Sequence, residues 1–267
     1  MKLMTLLVLL ASLLSSVSAD DKLADIIAAP PRGEAADRDQ YRHPFETLTF
    51  FGIEPTMDVL EIWPGGSGWY TQILAPYLKN QGSLSVAVFG EGTEHQFSGF
   101  FERADKQFAE TFANAEMYGT VKQTPFFAPK HNDLGEADQY DMIVTFRNLH
   151  NWLMWDQSEQ HLAELFRVLK PGGILGVTDH RADPTRPIDT TASSGYVDEA
   201  YAIEVIQQAG FRLAAVSDIN DNPLDEKDYA NGVWTLPPTY RLGETDREKY
   251  QAIGESDRFT LKFVKPE

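Results

Sequence analysis

The sequence predicts an α/β domain built on a doubly wound, mostly parallel sheet of seven strands, the last of them antiparallel. Two observations carry this. From about residue 44, apolar runs of strand length alternate with amphipathic segments of helix length, and the first run ends in a glycine-rich turn that opens a helix. The predicted strands are MDVLEI (57–62), LSVAVF (84–89), a weaker MYGTVKQ (117–123), YDMIVTF (140–146), GILGVTD (173–179), FRLAAVSDI (211–219) and FTLKFV (259–264). Helices are expected near 69–79, 95–113, 156–169 and 197–208. No repeat or low-complexity tract interrupts the series.

The N-terminus reads as a secretory signal. Lys2 precedes the apolar run LMTLLVLLASLL, and the small residues Val17 and Ala19 stand before the acidic pair Asp20 and Asp21, so cleavage is expected after Ala19. The run is too short to span a bilayer, which needs roughly 20 residues. No cysteine is present to carry a lipid, a disulfide or a thiolate metal site. The expected product is an exported protein, periplasmic or secreted, without a membrane anchor. Residues 20–43 are polar and read as a tail or leading helix, and 44–267 as one domain. With 40 acidic against 23 basic residues and a formal charge of −17, the chain opposes nucleic acid, whose binding rests on Lys and Arg neutralising phosphates. A small-molecule or lipid-like partner is expected instead.

The stretch VLEIWPGGSGWYTQILAPYL (59–78) passes from strand through glycine turn to helix. In that context a glycine motif points to a nucleoside-like ligand at the carboxyl edge of the sheet. YDMIVTFRNLHNW and LFRVLKPGGILGVTDHR follow in order. With these segments the chain resembles class I S-adenosylmethionine-dependent methyltransferases, whose sheet is Rossmann-like. It is similar above all to a group of exported bacterial predicted methyltransferases with EIWPGG, TFRNxHNW, KPGGxLGVxDHR, GVWTLPP and GESDR segments. The resemblance implies S-adenosylmethionine as cofactor. The turn departs from the family's acidic-x-Gly-x-Gly-x-Gly pattern: Glu61 supplies the acid and Gly65 the middle glycine, but Trp63 and Ser67 replace the other two. The second strand ends Val88, Phe89, Gly90, Glu91, and Glu91 is the nearest substitute for the acid that usually holds the ribose.

The loops after parallel strands emerge at one edge, so Glu61–Gly68, Arg147–Trp152 and Asp179–Arg181 should share a cleft. Cofactor contacts are expected from Glu61, Trp63, Pro64, Gly65, Gly66, Gly68, Phe89 and Arg147. Asn148, His150, Asp179 and His180 are the candidates for orienting an acceptor or taking its proton. His150 reads equally as a core or helix-capping histidine, and His180 and Arg181 as members of a structural ion pair. No metal is expected, because no two ligands have helical i, i+4 spacing. Trp152 and Trp155 are expected in the core, and KPGG as a connecting turn. The segment 220–257, with Trp234, Tyr240 and two prolines, is long enough to be a lid or an inert flap. The functional expectation is a methyltransferase for an unidentified small-molecule or lipid-like acceptor. The alternative is an exported, non-catalytic ligand-binding protein on the same fold.

Overall fold

The computed structural model describes residues 18–267; the expected export segment lies outside them but for Ser18 and Ala19. The elements run, in chain order, as α1 (Ala19–Ile27), a 3-10 stretch (Pro30–Arg38), α2 (Asp39–Arg42), α3 (Pro44–Phe51), β1 (Asp58–Ile62), α4 (Thr71–Leu78) and β2 (Ser83–Val88). There follow α5 (Ser98–Thr111), α6 (Ala115–Tyr118), β3 (Val121–Phe127), β4 (His131–Asn132), β5 (Tyr140–Phe146), α7 (Leu149–Met154) and α8 (Ser158–Val168). The chain ends with β6 (Leu169–His180), α9 (Glu199–Gln208), β7 (Arg212–Ser217), α10 (Arg247–Ile253) and β8 (Arg258–Val264).

The sheet has the order β4-β3-β2-β1-β5-β6-β8-β7. β8 runs antiparallel between β6 and β7. β4, only two residues long and antiparallel to β3, brings the count to eight rather than the expected seven. β1, β2 and β5 are buried along nearly their whole length, as strands covered on both faces must be. β3 is largely exposed over its first five residues, which is why its hydrophobic signal is weak, and Met117 and Tyr118 at the start of the predicted run belong to α6 instead.

Two apolar clusters lie on the two faces of the sheet. One is built on α5, α8 and α9 with Trp63, Trp152 and Phe259, the other on α1, α3 and α4 with Phe51, Trp69 and Tyr77. The KPGG motif is not a plain turn: it is a bulge inside β6, where pairing with β5 jumps from Tyr140–Leu169 to Met142–Ile174, and Gly172 takes φ +76°.

The chain winds from β1 outward through β2 and β3, then returns to the other flank of β1 as β5. The point of reversal lies between the carboxyl ends of β1 and β5, where open α/β sheets leave a crevice. Asn148 bridges that point, donating from Nδ2 to the Ile62 carbonyl at 2.8 Å and to Thr145 Oγ1 at 3.2 Å.

Candidate functional site

A cavity of about 710 Å³ opens over these strand ends, and the glycine turn forms one of its walls. Trp63 sits at φ +44°, a conformation costly for a bulky side chain. Its burial offsets that cost. The indole donates to the Phe126 carbonyl at 2.8 Å, and its ring lies 5.0–6.0 Å from Phe89, Phe127, Trp152, Trp155 and His161. The ring thus turns away from the space above the turn.

The three glycines have different tasks. Gly65, at φ +69° and lining the cavity, would carry a Cβ with nothing within 4 Å of it. Gly66 and Gly68 point instead at α5 and the residue after it: a side chain would strike Gln107 from the first, and Phe108 and Phe112 from the second. Only Gly65 is an open cradle; the other two let α5 approach the turn.

Glu61 is 2% exposed, accepts the Thr71 hydroxyl at 2.6 Å, and burial pushes its pKa up to about 8. At the end of β2, Phe89 stacks on Phe101 with centroids 4.1 Å apart. Glu91 does not serve as the acid there. It is exposed, and only its backbone carbonyl is engaged, by Lys130 and His131. The carboxylate at this strand end belongs to Asp105 of α5, which accepts the backbone N–H groups of Phe89 and Gly90 and whose pKa burial raises.

On the other side of β1, Asp179 is fully buried and accepts three hydrogen bonds. One oxygen accepts His150 Nδ1 at 2.8 Å and the His180 N–H at 2.8 Å; the other accepts the His150 N–H at 3.0 Å. With Nδ1–H given to the carboxylate, the Nε2 lone pair of His150 is left free. His150, on the first turn of α7, lines the cavity. His180 lines it too, its Nδ1 bonded to Ser256 Oγ, and burial followed by the neighbouring His150 and Arg147 keeps it well below the usual histidine range. His150, Asp179 and His180 place ligand atoms within 4.8 Å of one another. Both carboxylate oxygens are already taken, however, and the adjacent arginines oppose a cation. Arg181 has the structural role, pairing with Glu199, Asp221 and Asp257.

The sequence reading missed a set of arginines. Arg38, Arg42 and Arg258 all pair with the Glu255 carboxylate at 2.6–3.0 Å. Burial opposes the Glu255 charge, but Arg42, Arg258, Arg147 and Arg38 together hold it well below the usual carboxylate range. Arg147, at φ +63°, lines the cavity beside Arg38 and Arg42; burial lowers its pKa to about 10, so it stays charged. Trp155 also lines the cavity, whereas Trp152 is in the core as expected.

The 220–257 segment reaches the same space. Val233 N–H binds the Ser194 carbonyl at 2.9 Å, and Trp234, Pro237, Pro238 and Arg241 form part of the cavity wall, with Trp234 6.2 Å from His150. Tyr240 lies outside the lining, under the Arg247 guanidinium.

Residues 104–177 match a family described as a methyltransferase domain. No curated protein sequence matches the chain. Among solved structures, a SAM-dependent methyltransferase from Aquifex aeolicus superposes with TM-score 0.57 at 14% identity, covering 92% of this chain and 98% of that one. The cyclase SpnF gives 0.57 at 16% identity, over 84% of this chain and 80% of that one. Human N-acetylserotonin methyltransferase in complex with SAM gives 0.52 at 12%, over 94% of this chain and 57% of that one. The chain shares the fold of these structures, and residues 104–177 carry the match to a methyltransferase domain.

Proposed function

We propose that the protein is an S-adenosylmethionine-dependent methyltransferase acting on a hydroxyl of a small-molecule or lipid-like acceptor. The observation that carries the reading is the placing of the open Gly65 cradle and the Asp179-held His150 in one cavity at the reversal point of the sheet. The residues fit the cofactor: Gly65 leaves its backbone accessible, Trp63 keeps its ring out of the cradle, and the fold matches a protein crystallised with SAM. Glu61, Pro64, Gly65 and Phe89 would hold it. When bound, it supplies an electrophilic methyl group on a sulfonium.

What the chain contributes is mainly alignment, which can remove about 7–11 kcal/mol of the barrier to a displacement between two bound groups. His150 Nε2 takes the proton of the acceptor hydroxyl, and Asp179 fixes the tautomer and stabilises the imidazolium. Trp234, Pro237 and Pro238 shield the reacting groups from water. A non-catalytic binding protein is the second reading, favoured by the lack of an acid from β2 in the cavity.

The test is incubation with methyl-labelled S-adenosylmethionine and fractionated small molecules and lipids. Label should move to a hydroxyl-bearing acceptor, and His150→Gln should lower transfer by about 10²-fold or more with S-adenosylhomocysteine affinity unchanged. Undiminished transfer by the variant removes His150 as base; tight binding with no transfer in any fraction leaves the second reading. We further propose that the protein is exported, on the segment 1–19. Mass spectrometry should find a mature form starting near Asp20, and an intact Met1 on a cytoplasmic pool would contradict it.

A further inference from the structure

The cavity is cationic at one end in a protein with 40 acidic and 23 basic residues. Three guanidiniums, those of Arg38, Arg42 and Arg258, share the single carboxylate of Glu255, with Arg147 a fourth positive charge nearby, and the next charge, Asp179, is occupied by His150. Glu61 does not offset them at neutral pH, since its buried carboxyl holds its proton. Arginine does not lose its proton in proteins, so the surplus is real. Arg42 is 3% exposed, and its Nη2 and that of Arg38 are buried without a hydrogen-bond partner. Arg147, at the cavity wall, meets no carboxylate at ion-pair distance among the described residues. Buried donors and like charges left in this state are unfavourable, and an anion would satisfy both.

The cofactor does not discharge this end. Its one carboxylate is outweighed by its own ammonium and sulfonium, so the bound molecule adds positive charge. We infer that the methyl acceptor is itself an anion, a carboxylate or phosphate compound whose charged group docks on Arg147, Arg42 and Arg38 and whose apolar body lies under Val233, Trp234 and Pro237. This rests on the methyltransferase reading for the word acceptor. The guanidinium fork suits both oxyanions, binding either through paired N–H donors. Trp234 carries the Arg241 guanidinium 4.7 Å above its ring, which adds a further cation at the mouth.

The competing source of the same chemistry is the cofactor's own carboxylate, and calorimetry separates the two. The full protein, saturated with S-adenosylhomocysteine at fixed chloride, is titrated with benzoate, inorganic phosphate and neutral benzyl alcohol. Benzoate and phosphate should still bind, with benzyl alcohol weaker by about tenfold or more. Arg147→Gln should weaken benzoate by about tenfold while S-adenosylhomocysteine affinity stays within about twofold. Arg147→Lys should restore most of the benzoate binding. Arg241→Gln, on the exposed lid, gives a second variant whose folding is not at risk and should weaken benzoate in the same direction. The inference is overturned if neither anion binds. It is overturned also if S-adenosylhomocysteine displaces both anions and Arg147→Gln weakens S-adenosylhomocysteine while sparing 5′-methylthioadenosine, which lacks the carboxylate. Anion binding by a protein that ignores S-adenosylhomocysteine would keep the anion site and remove only the methyltransferase reading.

Discussion

Glu61 is a carboxyl strongly altered by its surroundings. Its pKa rises from 4.5 to about 8 because burial penalises the carboxylate more than the Thr71 hydrogen bond supports it. Below about pH 4.5 both folded and unfolded chains hold the proton, and no stability is lost. Between 4.5 and 8 the unfolded chain ionises while the folded one does not, so stability falls as pH rises and then levels off. One pKa unit is worth about 1.4 kcal/mol, which makes the deficit of the order of a few kcal/mol. Glu61→Gln should therefore melt higher than the wild type at pH 8 and together with it at pH 4; coincident curves at pH 8 would contradict a carboxyl held neutral by burial. The sequence showed Glu61 as an acid at a strand end, but not that it is held neutral, because burial is a property of the packed turn. Trp63 was legible as a departure from a glycine pattern. That its ring would find Phe126 and the aromatic cluster depended on residues about 60 to 100 positions away. Arg147, Arg42 and Glu255 were invisible as a set for the same reason: they come from three distant segments.

Elements set how closely those residues approach. α3 lies on the sheet because Gly176 in the middle of β6 presents no side chain to Phe51; a Cβ there would stand 2.7 Å from the ring. Phe51 is fully buried and has nowhere to move. Gly176→Ala should cost about 1–3 kcal/mol by overpacking, and Phe51→Leu should recover part of it in a double-mutant cycle. A neutral Gly176→Ala in urea unfolding would show that α3 is free to shift. Strands on the centre of the sheet were readable because both faces are apolar, as in YDMIVTF. α7 was not, since six residues after a positive-φ arginine give too little periodicity to distinguish a helix from a loop. That helix matters to the site: its first turn directs both the His150 backbone N–H and the imidazole onto Asp179.

At the scale of the molecule, topology does what local sequence does not. The reversal between β1 and β5 gathers the glycine turn, Arg147 to His150 and Asp179 to His180 at one edge, which the strand order alone foretold. The length of 220–257 and the antiparallel return of β8 bring Trp234 to that edge as well. The cationic end of the cavity was hidden by a net charge of −17, because composition averages over the surface. The roles given to the glycine turn and to His150 depend on the cavity being a cofactor site, and no knowledge of the acceptor is needed to test that. Calorimetric titration of the protein with S-adenosylhomocysteine should give saturable one-to-one binding in roughly the micromolar range, with a rise in melting temperature that follows occupancy. No heat and no change in melting temperature at millimolar ligand would contradict a cofactor role for the cavity.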